Sequence, residues 1–115
     1  MQDMLLQAAG AGAIIVALIH WYLSETHVFT RLVIEPPRLR PLVRLVWHCS
    51  TVAWIAGGVL LIVAPMFPSP ARHWIVATMV ANYLFASAAN AWATKGRHFG
   101  WMALATVSAL AVAGY

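Results

Sequence analysis

Residues 4–24 read MLLQAAGAGAIIVALIHWYLS, twenty-one positions without a formal charge. A helix of about 20 mainly apolar residues crosses a bilayer, and roughly 18 uncharged ones already make a candidate. Three more such runs follow: 45–71 (27 residues), 73–94 (22) and 98–115 (18). Together the four runs take up 88 of 115 residues. The whole chain is 63% hydrophobic and 9% charged, where soluble domains carry about a quarter charged residues. The expected fold is therefore all-α: a four-helix bundle in the membrane, antiparallel and up-down, as a single domain with spans at about 4–24, 42–64, 72–94 and 98–115.

The breaks between the runs support this division. Val28, Phe29, Leu32 and Val33 recur at helical spacing, so the first helix is expected to continue to about Ile34, where Pro36-Pro37 stop it. Pro41 suits the first turn of the second helix, where a missing N–H costs nothing. Pro65-Met66-Phe67-Pro68-Ser69-Pro70 separates the second helix from the third, and Lys95-Gly96-Arg97-His98 makes a tight turn with Gly96 as cap. Ala8 with Gly12, or Ala9 with Ala13, puts small residues four apart on one face, which lets a neighbouring helix come close. Met1-Gln2-Asp3-Met4 has no basic stretch, so the first run is expected to be a retained span rather than a cleaved leader.

The charges orient the bundle. Arg31, Arg38, Arg40, Arg44, Lys95 and Arg97 fall on the side of loops 1–2 and 3–4, and Arg72 alone falls on the other. Positive charge stays cytoplasmic, so both termini are expected outside, in a bacterial inner membrane. Trp21, Trp47, Trp92, Trp101 and Trp74 sit near span ends, where indoles form interfacial belts, while Trp54 falls near a span centre. Basic residues placed this way argue against nucleic acid as a partner. Membrane lipid, a second copy of the chain or another membrane protein remain as partners. A lone Cys49 excludes an intrachain disulfide.

Polar side chains within apolar runs usually face a bundle interior. His20, Ser24 and His27 lie at i, i+4, i+7 on one face of the first helix. Glu25, five residues from His20, falls about 140° away on an uninterrupted helix. Tyr83, Ser87, Asn90 and Thr94 form a stripe that reads either as the wall of a polar cavity or, in preference, as helix–helix hydrogen bonding. His20 and His48 are roughly 6–9 Å inside the same end of two consecutive helices. They could bind haem or a transition metal between them, or each could bond a hydroxyl or backbone carbonyl. Glu25 and Arg44 are expected to pair at the bundle mouth. His20, Ser24, Glu25, Arg44, His48 and Asn90 are thus expected to form one polar cluster in the cytoplasmic half. No catalytic constellation is evident.

Four helices in this length are similar to the small multidrug resistance transporters, whose hallmark is an acid deep in the first span. Residues 4–24 contain none, so that match fails. His20, Ser24-Glu25 and Trp47-His48-Cys49-Ser50-Thr51 instead resemble a group of small uncharacterised four-span bacterial inner-membrane proteins. In that group, His and a Gly-Glu-like stretch end the first span, and Trp-His-x-x-Ser opens the second. Ser24 stands where the pattern has Gly, and Ser50 or Thr51 must serve as its hydroxyl. The resemblance covers the first two spans, implies that His20, Glu25, Trp47 and His48 belong together, and carries no activity. The expected function is a structural, accessory or partner-binding membrane protein, with a haem or metal binder and a small oligomeric transporter or channel as alternatives.

The charge asymmetry generates a direct test. In a Cys49-free background, an impermeant thiol reagent applied to intact cells should label a cysteine at Ser69 and spare one at Arg38. The opposite labelling pattern would reverse the orientation.

Overall fold

A computed structural model describes all 115 residues and contains four helices and no strand. Helix α1 spans Gln2–Leu23 and runs into a single π-helical turn, Ser24–Val28. A 3₁₀ turn, Pro37–Leu39, leads into α2, Arg40–Val63. A second 3₁₀ turn, Ala64–Met66, precedes α3, Ser69–Thr94, and α4 covers Gly100–Ala113.

The first helix ends earlier than the apolar spacing suggested. Residues 32–34 are not helical. Ser24 Oγ donates to Trp21 O (2.6 Å), Thr26 Oγ1 to Tyr22 O (2.8 Å) and Thr30 Oγ1 to Thr26 O (3.0 Å). Hydroxyls that take carbonyls of the preceding turn loosen the backbone ladder. Here the ladder slips to an i→i+5 bond, Phe29 N–H to Ser24 O at 2.8 Å. The Arg40 guanidinium, from the start of α2, then takes the freed carbonyl of Phe29.

The last run also yields a shorter helix than expected. His98 Nδ1 accepts the N–H of Gly100 at 3.0 Å, so His98 and Phe99 belong to the turn. At 1.5 Å per residue, the 14 residues of α4 reach only about 21 Å, against a hydrocarbon core of about 30 Å. Helix α3 has the length but carries Arg72, His73, Asn82 and Asn90 within it. Two stretches, Gln2–Val28 and Pro37–Met66, are long and apolar enough to cross a membrane. In the turn after α3, Lys95 rather than Gly96 occupies the cap position, at φ 52°, and Gly96 follows at φ 73° with its N–H on Ala91 O. Glycine at the second place removes the Cβ cost of that left-handed step.

Helix α1 packs against α2 on one side and α4 on the other, α3 packs against α4, and α2 and α3 scarcely meet. The core is built from Leu6, Ala9 and Ala13 of α1, Leu61 of α2, Val76 and Tyr83 of α3, and Leu104, Val107 and Ala111 of α4. Of the two small-residue pairs read from the sequence, Ala9 and Ala13 are buried and Ala8 is exposed. The closest approach uses a residue outside both pairs, Gly10, whose added Cβ would strike Gly58 O and Ile62 of α2. The relation is mutual, since a Cβ on Gly58 would come within 2.7 Å of Gly10 O and of Ile14 Cγ1. At the far end, Arg72 Nη2 bonds both Asp3 Oδ1 and Gly114 O at 2.9 Å, tying α1, α3 and the end of α4 together.

Gly58→Ala should therefore push α1 from α2 and destabilise the fold by about 1–3 kcal/mol, the usual cost of overpacking. Gly12→Ala meets only Val107 Cγ2, at 3.3 Å, and should cost less. Thermal unfolding of both variants in detergent measures the difference; equal midpoints would mean that the backbone contact does not hold α1 to α2.

Candidate functional site

The end of α1 and the start of α2 meet around one carboxylate. Glu25 is the second residue of the π turn. Arg44 donates from Nε to Glu25 Oε1 at 2.9 Å and from Nη2 to Oε2 at 2.5 Å. His48 Nε2 lies 2.6 Å from Oε1. Arg44 and His48 are four apart, hence neighbours on one face of α2, and both close on the same group. The Glu25 side chain is 24% exposed and that of Arg44 54%, so this is a pair at the rim rather than in the core.

His20 has a different surrounding. Its ring stacks on Trp47 with centroids 4.9 Å apart and planes 6° apart, and it lies 4.6 Å from the Trp54 ring. Trp47 and Trp54 are seven apart on α2 and so share a face. His20 Nε2 is 3.2 Å from Ser50 Oγ. The Ser50 hydroxyl gives its one proton to Trp47 O at 2.5 Å, so it accepts from His20, whose Nε2 carries the proton. Phe29 closes against both Trp47 and His48, at 5.6 and 6.3 Å between centroids.

The two histidines are therefore at one end of the α1–α2 pair but not on a common ligand. One Nε2 is held by Ser50 and the other by Glu25. No group of three or more His, Cys, Asp or Glu comes close enough to hold a metal ion, and Cys49 is exposed. Of the two readings open for the imidazoles, a shared haem or metal or separate bonds to a hydroxyl or carbonyl, the observed contacts are separate ones, His20 with Ser50 and His48 with Glu25.

The six-residue cluster likewise divides. His20, Ser24 and Asn90 line a cavity of about 710 Å³ reached by all four helices. Glu25, Arg44 and His48 line a separate crevice of about 530 Å³ with Trp21, Arg40, Pro41 and Leu45. His20 and Glu25, about 140° apart on the first helix, reach different faces of α2, the one at Ser50 and the other at Arg44 and His48. Ser24 is fully buried, its hydroxyl spent on Trp21 O.

The α3 stripe has two roles. Tyr83 donates to Trp54 O at 2.9 Å and Ser87 to Trp101 O at 2.7 Å, both as buried bonds between helices. Asn90 and Thr94, one and two turns further on, face the cavity instead. Trp47 Nε1 and Asn90 Oδ1 are buried without a partner. Trp54, Asn82 and His98 also line the cavity and were not among the expected site residues. For Trp54 a signal existed: it is the one tryptophan away from the span ends. Phe85, 76% exposed, stands at the edge of the cavity. Beyond the Tyr83–Trp54 bond, α2 and α3 leave a gap, and the cavity lies along it.

No protein family, curated protein or solved structure matches the chain.

The shared carboxylate predicts non-additive mutations. Glu25→Gln and Arg44→Gln should each lower the unfolding midpoint in detergent, and the double variant should lose less than the sum of the two. Strict additivity would mean that the two side chains do not act on each other.

Proposed function

We propose that the chain is a bacterial inner-membrane protein of four antiparallel helices, both termini outside, that binds an uncharged, mostly apolar small molecule taken sideways from the bilayer. The observation that carries this reading is the cavity itself. Its volume falls in the range of small-molecule sites, about 300–1,000 Å³. Its lining contains no Asp, Glu, Lys or Arg. A charged ligand would find no counter-ion there, and burying an unpaired charge is costly. His20, Ser50 and Asn90 supply a few polar atoms that can orient a ligand among apolar walls.

The gap between α2 and α3 supplies the route. In a bilayer, such a gap faces acyl chains, and an apolar molecule can pass through it without entering water. The two longest apolar stretches and the six-to-one Lys/Arg distribution support the membrane placement. The short α4 would be met by local thinning of the bilayer or by snorkelling of flanking residues. The grouping of His20 with Trp47, and of Glu25 with His48, agrees with the resemblance to small four-span proteins, which is part of the same proposal. This is a partner-binding role with the partner a small molecule.

The test is photolabelling in lipid nanodiscs with 3-trifluoromethyl-3-phenyldiazirine, a small neutral ring. Mass spectrometry should find saturable labels on Trp54 and Asn90, and Ala89→Trp, which fills the cavity, should abolish them. Val46, exposed on α2 and lining neither recess, serves as the lipid-facing reference. Labelling that rises linearly with probe at Trp54, Asn90 and Val46 alike would sink the binding role.

A further inference from the structure

The crevice around Glu25 shares no residue with the cavity and has the opposite character. Two guanidinium groups, Arg40 and Arg44, an imidazole, His48, and one carboxylate, Glu25, face it. Both signs of charge therefore stand within one small recess.

Each charged group retains capacity. A carboxylate offers about four acceptor positions, and Glu25 uses three, two for Arg44 and one for His48. Arg44 spends Nε and Nη2 on Glu25 and leaves Nη1 without a partner. Arg40 is turned to the end of the first helix, where its Nη2 holds Phe29 O and its Nη1 reaches Leu32 O at 3.5 Å, which leaves Nε without a protein partner.

The recess also has an apolar approach. Leu18, Trp21 and Glu25 lie at i, i+3, i+7 on one face of the first helix, and Pro41, Leu45, His48 and Val52 repeat at helical spacing on α2. Leu18, Trp21, Leu45 and Val52 are all half-exposed or more. An apolar track thus leads away from the charged crevice along two helices.

We propose that this crevice seats a phospholipid headgroup that carries both a phosphate and a primary ammonium, with an acyl chain on the track. The ammonium donates to the free acceptor position of Glu25. The phosphate takes Arg44 Nη1 and the Arg40 guanidinium, the charge-assisted pairing that such groups favour. Basic pockets between helices on the cytoplasmic side are where lipid headgroups bind, and the carboxylate adds the selectivity. A glycerol phosphate head would offer Glu25 only neutral hydroxyls in place of the ammonium, and its net negative charge would stay uncompensated beside the carboxylate. A choline head would present methyl groups where a donor is needed. The site shares the membrane placement proposed above but not the cavity, so the two ligand proposals fail separately.

Native mass spectrometry and thermal unfolding of the detergent-purified chain test this. Phosphatidylethanolamine, its N-monomethyl form, phosphatidylcholine and phosphatidylglycerol are added with identical acyl chains. The ethanolamine lipid should bind one to one. It should bind on the order of tenfold more tightly than the choline lipid, the scale of one charge-assisted hydrogen bond, with the monomethyl form between. The unfolding midpoint should follow the same order. Equal binding of all four lipids would overturn the proposal. An equal midpoint shift from water-soluble phosphoethanolamine would overturn the lipid as occupant. Glu25→Gln should reverse the order of the ethanolamine and glycerol lipids. If that variant fails to fold, the headgroup series on the unaltered protein decides alone.

Discussion

The backbone contact between Gly10 and Gly58 governs the rest of the bundle. Neither residue has room for a Cβ, and each faces a backbone carbonyl of the other helix. Such an approach lets α1 and α2 gain dispersion contacts along their length. With α2 drawn onto one side of α1, the other side is left for α4, which meets it through Gly12 and Val107. Helix α3 then attaches chiefly to α4. Its contacts with α2 include the Tyr83 hydroxyl on Trp54 O and the close fit of Gly57 to Met79 and Tyr83. The order of packing around the bundle leaves α2 and α3 as the pair that can part.

From that parting comes the division of the polar residues. The uncharged cavity lies along the gap, and the charged crevice lies at the junction of the π turn and α2. Trp47 and Phe29 join the two regions: Trp47 stacks on His20 of the cavity, and Phe29 packs against both Trp47 and His48. A shift of the π turn would therefore be felt at His20 through aromatic contact as well as at Glu25 through its ion pair. Here the π turn closes the first helix, and π turns are frequent at functional sites.

The existence and approximate limits of the helices were legible in the amino-acid order because they depend on local causes. Charge-free runs, Pro36-Pro37, Pro41 and Pro65 act within a few residues of themselves, and the four helices fall close to them. The errors lay where a side chain from elsewhere intervened. Arg40 accepts the role of cap for the first helix from eleven residues away, and His98 holds the turn before α4. Neither bond has a signature in apolar periodicity. The same holds for the π turn, since Ser24, Thr26 and Thr30 are compatible with an ordinary helix until their hydroxyls choose carbonyls.

For the site, residue types and depth were readable, and their partners were not. The sequence alone determined that His20, Glu25, Arg44 and His48 cluster at one end of two consecutive helices, because helical rise converts residue number into depth. It determined the Glu25–Arg44 encounter for the same reason, with opposite charges at one level. Rotation about the helix axes is set by packing between distant residues, Gly10 with Gly58 above all, and no local pattern encodes it. Only the tertiary structure decided that His20 turns to Ser50 between two tryptophans while His48 turns to Glu25. It alone decided that Asn90 borders the cavity and not the carboxylate, because α3 reaches this end of the bundle by way of α4 and stands apart from α2.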